Sequence, residues 1–260
     1  MTALITRRTL IATGTAMTLI SALPSPVSAA GAETPTIAAF GGGRLDNSLA
    51  RKMVKEAKRG GNRAVIVSFG ASDPVRDGRA DARWLASLGM CKTSIVGVDK
   101  AGRERPVRDL FLDADLIWFT GGYQKRHVLS LGGITGAVAA LRAAHKAGAV
   151  IAGGSAGAAV MSKVMISGGK FPQVYTRAGF GLWPQVIVDQ HVVARHREWR
   201  LQKAIAANPH LTGVGIDEGA GVLYQNGEMT VYGRSRVILV RSVNGKIQET
   251  RLRRGSKVVL

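Results

Sequence analysis

The amino-acid sequence predicts a single three-layer α/β/α domain whose sheet is mostly parallel and acquires antiparallel strands toward the C-terminus. Two observations support this prediction. Up to about residue 155, runs of consecutive apolar residues alternate with stretches that favour helix, as in a parallel sheet covered on both faces. Beyond about residue 185 the strand signals are shorter, and Asn226-Gly227 between two of them is a strong hairpin signal.

The predicted elements follow one another with short connections. Strands are predicted at residues 36–40, 64–69, 93–98, 115–119, 149–152, 186–188, 213–216, 222–224 and 229–232. Helices are predicted from about 46 to 59, 77 to 88 and 136 to 146. Glycine-rich segments at 41–43, 70–73 and 121–122 follow three of the strands, and Ser155 follows a fourth. Since parallel strands end at one edge of a sheet, we expect these segments to share a crevice.

Residues 1–32 resemble an export signal, which leaves 33–260 as the predicted domain. Arg7-Arg8 precedes a charge-free, largely apolar stretch that runs to Val27, and small residues follow it. The paired arginines resemble a twin-arginine signal, with an ordinary Sec signal as the alternative. Because Gly14 and two prolines interrupt the short apolar stretch, we expect no permanent membrane span. The sequence therefore predicts a bacterial protein that is periplasmic or secreted after cleavage.

The composition argues against several other classes of protein. The formal net charge is +19, but the basic residues are dispersed and aromatic residues make up only 5% of the chain, so we expect no nucleic-acid partner. Cys91 is the only cysteine, which excludes an internal disulfide framework. The sequence has no His/Cys cluster with the spacing of metal ligands, so we expect neither a metal nor another cofactor.

A nucleophile-elbow pattern surrounds Ser155. The segment Gly153-Gly154-Ser155-Ala156-Gly157 lies between an apolar strand and a run of small, helix-compatible residues. A sharp turn at this point would lift the hydroxyl clear of the sheet, and small neighbours would let a substrate carbonyl approach. The start of the following helix could also stabilise an oxyanion. The sequence therefore predicts Ser155 as a nucleophile.

His191 is the best candidate for the base because it ends a predicted strand. We expect the other histidines considered, His127, His145 and His210, to be surface or capping residues. The acid that orients the base stays undecided at this point. No Asp or Glu lies between residues 155 and 189, and the candidates are Asp189, Asp217 and Glu218. Because adjacent strand residues alternate in direction, only one of the last two is expected to face the site.

Three arginines follow His191 within ten residues: Arg195, Arg197 and Arg200. Guanidinium groups bind carboxylates through two parallel hydrogen bonds, so this cluster is compatible with an acidic substrate. A solvated basic surface is an equally good interpretation of the pattern alone.

Four separated motifs together resemble the cyanophycinases, which belong to the dipeptidase E-like serine peptidases of family S51. They are the Ser155 elbow, Phe119-Thr120-Gly121-Gly122-Tyr123-Gln124, Asp189-Gln190-His191 and Gly215-Ile216-Asp217-Glu218-Gly219. The resemblance extends from about residue 36 to about residue 239. It implies the flavodoxin-like fold of class I glutamine amidotransferases.

The resemblance also implies roles for individual residues. It makes Ser155 the nucleophile and His191 the base, and it favours Glu218 over Asp217 as the third member. It assigns the substrate pocket to four side chains, which are Gln124, Arg195, Arg197 and Arg200. We expect backbone N–H groups near Gly122 and Ala156 to form the oxyanion hole.

The implied substrate is a peptide or a cyanophycin-like polymer, from which β-aspartyl-arginine would be released. Tyr123 departs from the family pattern, which commonly has aspartate there, and this change could weaken recognition of an arginine-bearing substrate. An aspartyl dipeptidase of the same family and a non-catalytic exported protein that binds acidic peptides are the alternatives. A glutamine amidotransferase is disfavoured because that chemistry usually employs cysteine at the elbow. The sequence does not determine the oligomeric state, and a homodimer is one possibility.

Overall fold

The computed structural model describes residues 35–57, 61–97 and 106–260. The predicted export signal lies outside these residues and stays a prediction. The described strands are β1 Ile37–Phe40, β2 Arg63–Val67, β3 Lys92–Val96, β4 Leu116–Phe119, β5 Val150–Gly154, β6 Val164–Lys170, β7 Gln173–Ala178, β8 Val186–Gln190, β9 Thr212–Ile216, β10 Ala220–Gln225, β11 Glu228–Gly233, β12 Val237–Val243, β13 Lys246–Leu252 and β14 Lys257–Val259. The described helices are α1 Asn47–Ala57, α2 Pro74–Ser87, α3 Val107–Leu112, α4 Gln124–Gly132, α5 Ala137–Lys146, α6 Ala156–Ala159 and α7 Glu198–Ala206.

The central sheet has the strand order β14-β11-β10-β1-β5-β4-β2-β3. Five neighbouring strands of this sheet, β1, β5, β4, β2 and β3, pair in parallel. On the other side of β1, the sheet continues with β10, β11 and β14, which pair antiparallel. The predicted fold class, a mostly parallel sheet with antiparallel C-terminal strands, is confirmed. The hairpin signal at Asn226-Gly227 connects β10 to β11.

Two smaller sheets, which the sequence does not predict, lie outside the central one. A second sheet has the order β13-β12-β9-β8, and within it β8 and β9 run in parallel. A separate two-stranded hairpin consists of β6 and β7. The C-terminal strand signals are therefore divided between two sheets, and the strands that lead to His191 and Glu218 are neighbours in the second.

Helices cover both faces of the central sheet. On one face α1 buries Leu49, Met53 and Val54, whose spacing matches the helical period. On the other face Phe111 of α3 and Leu141 of α5 belong to the larger core cluster. A third cluster packs α7 against the second sheet. Among the described residues no single helix is long and apolar enough to cross a membrane, although the bent pair α4 and α5 meets that criterion when taken together.

The burial of two histidines differs from the expectation drawn from the sequence. His127 lies in the core with none of its surface exposed, so its assignment as a surface or capping residue is wrong. Its ring packs edge-on against Phe119, the last residue of β4. His145 is also buried, and its Nδ1 atom lies 3.4 Å from the carbonyl oxygen of Ala149, just beyond the end of α5. His210 is exposed, as expected.

Candidate active site

Ser155 occupies the turn between β5 and α6, at the carboxyl edge of the parallel strands. Its backbone angles are φ 53° and ψ −113°, a conformation that costs a non-glycine residue free energy. The Ser155 N–H donates to the carbonyl oxygen of Phe40 at 2.9 Å, which ties the turn to the end of β1. A Cβ atom added at Gly157 would lie 2.1 Å from the carbonyl oxygen of Phe119. The elbow pattern therefore marks a tightly packed, strained turn.

His191 follows β8 and faces Ser155. Its Nε2 atom lies 2.7 Å from Ser155 Oγ, and its Nδ1 atom lies 2.5 Å from Glu218 Oε1. A carboxylate only accepts hydrogen bonds, so Nδ1 carries the proton and Nε2 presents a lone pair to the serine hydroxyl. The backbone of His191 is fixed as well, because its N–H donates to Gly41 O at 3.0 Å.

The glycines after β1 make room for this arrangement. A Cβ atom added at Gly42 would lie 2.2 Å from His191 Cε1, and one added at Gly43 would lie 3.1 Å from Glu218 Oε2. Gly42 also has a φ of 109°, which favours glycine. The sequence predicts this glycine run at a strand end in the crevice, but no local pattern records its contact with His191 and Glu218.

The structure separates the three candidate acids. Glu218 contacts His191, whereas Asp217 turns to the opposite side and accepts the N–H groups of Val193 and Ala194 and the Ser235 hydroxyl. Burial acts to raise the pKa of Asp217, but these hydrogen bonds outweigh it and hold the pKa below its ordinary value. Asp217 therefore fixes the segment that follows His191.

Asp189 is fully buried and forms a two-point ion pair with Arg200. Arg200 Nε donates to Asp189 Oδ2 at 2.6 Å, and Arg200 Nη2 donates to Asp189 Oδ1. Only 5% of Arg200 is exposed. Asp189, one of the three candidate acids, therefore contacts Arg200 and not His191. Arg200, one of the predicted substrate arginines, is likewise engaged in this ion pair.

The other predicted pocket residues are held in different ways. Gln124 begins α4, and its Nε2 donates to Ile166 O at 3.0 Å. Arg197 donates through Nη1 to the Gln190 carbonyl and to its Oε1 atom. Burial, followed by the charge of neighbouring Arg200, lowers the pKa of Arg197 to about 10, so the group stays charged at neutral pH. Arg195 is exposed.

The predicted oxyanion donors lie in two turns near Ser155. A Cβ atom added at Gly121 would lie 3.9 Å from Ser155 Cβ, which places the Gly121-Gly122 turn beside the serine. Gly122 has a φ of 118°, and a Cβ atom there would lie 2.1 Å from Gly70 O. Ala156 begins the short helix α6. Within the described residues neither the Gly122 nor the Ala156 N–H donates to a backbone carbonyl, so both remain available as donors.

Burial sets the protonation of His191. Burial lowers its pKa, the hydrogen bond to Glu218 opposes that effect, and the charge of Arg195 lowers the pKa further. The net direction is downward, so the imidazole is neutral at neutral pH and Nε2 can accept a proton. The site thus combines a hydroxyl on a strained turn, a neutral imidazole and a carboxylate in one hydrogen-bonded series.

Comparisons with known proteins identify the family and the fold. Residues 79–232 match the family model of peptidase family S51. A cyanophycinase of Geminocystis herdmanii is 37% identical over 147 residues, which cover 54% of this chain and 54% of the relative. A cyanophycinase of Trichormus variabilis is 43% identical over 97 residues, covering 35% of this chain and 33% of the relative. The matched regions thus span about half and about a third of these relatives.

A solved structure gives the same result for the fold. The crystal structure of a peptidase from an acI-B1 Actinobacterium superimposes with a TM-score of 0.68 and covers 88% of this chain and 98% of that one. The sequence identity is 20%, so the likeness concerns the fold alone.

Proposed function

This chain belongs to peptidase family S51, and on that premise we propose that it is an exported serine peptidase. The proposed reaction is the hydrolysis of peptide or isopeptide bonds next to aspartyl residues, as in a cyanophycinase. The observation that carries the proposal is the continuous hydrogen-bonded series from Ser155 Oγ to His191 Nε2, at 2.7 Å, and from His191 Nδ1 to Glu218 Oε1, at 2.5 Å.

In the proposed mechanism, Ser155 Oγ attacks the substrate carbonyl carbon while His191 Nε2 takes the hydroxyl proton. The resulting oxyanion is stabilised by the N–H groups of Gly122 and Ala156. The C–N bond then breaks, and the leaving amine takes the proton from Nε2. Water hydrolyses the acyl-enzyme, giving one proton to Nε2 that returns to Ser155 Oγ. Glu218 keeps the imidazole in the correct tautomer and stabilises its cation.

Charge supports an acidic substrate. Arg195 is exposed and Arg197 remains cationic beside the base, whereas the charge of Arg200 is compensated by Asp189. Substrate carboxylates near the scissile bond would therefore meet an excess of positive charge. The two curated relatives named above are cyanophycinases, whose name supports a polymer of aspartyl-arginine units as the substrate.

Tyr123 leaves the dipeptidase alternative in place. Its side chain is 55% exposed, and the Arg126 guanidinium carbon lies 4.6 Å from the centre of its ring. A cation over an aromatic ring stands where the family commonly has a carboxylate, which disfavours a cationic substrate side chain at this point. An aspartyl dipeptidase that acts on peptides without arginine is therefore the second candidate.

The decisive experiment incubates the purified protein with cyanophycin and, separately, with an α-linked aspartyl dipeptide. Release of β-aspartyl-arginine, followed by mass spectrometry and abolished in Ser155→Ala, is the expected result. Serine-dependent cleavage of the dipeptide alone would favour the second candidate. Binding of acidic peptides without any Ser155-dependent turnover would overturn the peptidase proposal in favour of a binding protein.

Export is proposed from residues 1–32 alone. Cell fractionation of the wild type and of an Arg7→Lys/Arg8→Lys variant tests this proposal. We expect the wild type in the periplasm or medium and the variant retained in the cytoplasm if the twin-arginine route is used. Export of both proteins would favour the Sec route, and retention of both would contradict export.

A further inference from the structure

The β6–β7 hairpin projects beside the candidate active site and is fixed there at two points. At its base, Gln124 Nε2 donates to Ile166 O at 3.0 Å, and Gln124 lies two residues after Gly122 in the turn beside Ser155. At its tip, Phe171 packs edge-on against Trp199 with ring centres 5.4 Å apart. Trp199 lies on α7, two residues after Arg197. The hairpin therefore connects the elements that carry the two ends of the proposed pocket.

The two faces of the hairpin differ in their surroundings. Val174 packs against the core cluster that contains Leu201 of α7, so this face is directed at the protein. Residues alternate along a strand, so Gln173, Tyr175 and Arg177 share the other face of β7, and all three side chains are exposed. Only at the base of this face does the strand partner of Arg177, Met165, enter the core. Lys170 is the strand partner of Gln173, and the Tyr175 hydroxyl donates to Gln173 Oε1 at 2.9 Å. We refer to Lys170, Gln173, Tyr175 and Arg177 as the outer hairpin face.

This outer hairpin face is exposed, aromatic and cationic. Tyr175 is 57% exposed, although an aromatic ring of this size is more favourably buried. The sequence from 156 to 188 contains no Asp or Glu, so the whole hairpin lacks a carboxylate. Among the described residues, neither Lys170 nor Arg177 forms an ion pair. The surface therefore offers uncompensated positive charge beside an aromatic ring.

We propose that the outer hairpin face binds the part of an acidic polypeptide substrate that lies beyond the bond being cut. This inference rests on the proposed function and adds a second binding site to it. Substrate carboxylates would pair with Lys170 and Arg177, and the Tyr175 ring would pack against the stems or guanidinium groups of substrate side chains. A polymer would occupy both sites and a dipeptide only the catalytic one, so the hairpin gives the enzyme a preference for long substrates.

The kinetic test compares cyanophycin with an aspartyl dipeptide for the double variant Lys170→Gln/Arg177→Gln and for Tyr175→Ala. We expect the KM for the polymer to rise about five- to tenfold in the double variant, with kcat/KM for the dipeptide unchanged within about twofold. The control is Arg79→Gln/Arg83→Gln, which removes the same charge from the exposed side of α2. The proposal is overturned if the polymer and the dipeptide are affected equally, or if the control matches the hairpin variant.

A binding test separates this proposal from the proposed function. The Ser155→Ala protein is titrated with a labelled polyaspartate of about 20 residues, with and without the hairpin substitutions, at low and at high salt. We expect the hairpin substitutions to weaken binding about five- to tenfold at low salt and much less at high salt. This result, together with no serine-dependent turnover of cyanophycin or the dipeptide by the wild type, would retain the hairpin site and overturn the peptidase. Unchanged binding, alongside serine-dependent turnover, would overturn the hairpin site and retain the peptidase.

Discussion

Glu218 Oε1 lies 2.5 Å from His191 Nδ1, although the Glu218 side chain is 41% exposed and the His191 side chain only 7%. The carboxylate thus reaches the buried ring from the solvent side, where Gly43 leaves space for it. The hydrogen bond from His191 Nδ1 to this carboxylate fixes the tautomer of the imidazole, so that Nε2 faces Ser155 without a proton. The same relationship decides between two adjacent carboxylates that the residues alone do not distinguish.

Replacement of Glu218 by glutamine is expected to lower kcat by roughly 10³- to 10⁴-fold, because the amide no longer enforces the Nδ1–H tautomer or stabilises the imidazolium. Steady-state kinetics on the substrate that the wild type cleaves provides the measurement. The thermal midpoint should change little, since the side chain is partly exposed. A variant that retains wild-type kcat would show that Glu218 does not orient His191.

Asp217 is expected to act on stability instead. Asp217→Ala leaves the N–H groups of Val193 and Ala194 without their acceptor and should destabilise the fold by about 2–4 kcal/mol. Because the pKa of Asp217 is held below its ordinary value, its contribution to stability is complete above that ordinary value and is lost as the pH falls through the lowered pKa. Denaturant unfolding of wild type and variant between pH 3 and pH 7 measures both effects. Equal stability at pH 7 would contradict this role.

The elbow glycine provides a steric prediction with a matched control. Gly157→Ala would place a Cβ atom 2.1 Å from Phe119 O. We therefore expect the free energy of unfolding to fall by about 1–3 kcal/mol and the activity to be lost. Gly132→Ala has no atom within 4 Å of its new Cβ and lies in α4, where alanine favours helix. Thermal unfolding of both variants is the measurement. Similar midpoints for the two would show that the turn can rearrange at residue 157.

His127 predicts how stability depends on pH. Burial lowers its pKa from 6.5 to about 4, and its Nε2–H donates to Thr120 O. The unfolded chain therefore binds a proton that the folded protein does not, and stability falls as the pH drops from 6.5 towards 4, by about 3 kcal/mol in all. His127→Gln, which retains a donor, should remove this part of the slope. His210→Gln, at an exposed position, should leave the slope unchanged; an equal effect of both substitutions would contradict the assignment.

The sequence predicts those parts of the molecule that depend on local pattern. The apolar strands, the glycine-rich strand ends and the elbow at Ser155 follow from short-range periodicity and from the conformations that only small residues permit. The assignment of β8 and β9 to a second sheet depends on long-range packing, and no local signal records it. The same holds for His127, whose spacing on α4 fits a surface position as well as a buried one. Its contact with Phe119 exists only once β4 and α4 pack together.

The arginine cluster gives the last prediction, because the structure divides three similar residues into different environments. Arg200 is buried against Asp189, and Arg200→Gln would leave that carboxylate without its cation, at a cost of about 3–5 kcal/mol. Arg195 is exposed, so Arg195→Gln should leave stability within about 0.5 kcal/mol of the wild type and instead raise the KM for an acidic substrate about three- to tenfold. Denaturant unfolding and steady-state kinetics on both variants measure these effects. If Arg200→Gln were as stable as the wild type and altered only KM, Arg200 would contact the substrate directly. If Arg195→Gln changed neither quantity, the pocket would use Arg197 without it.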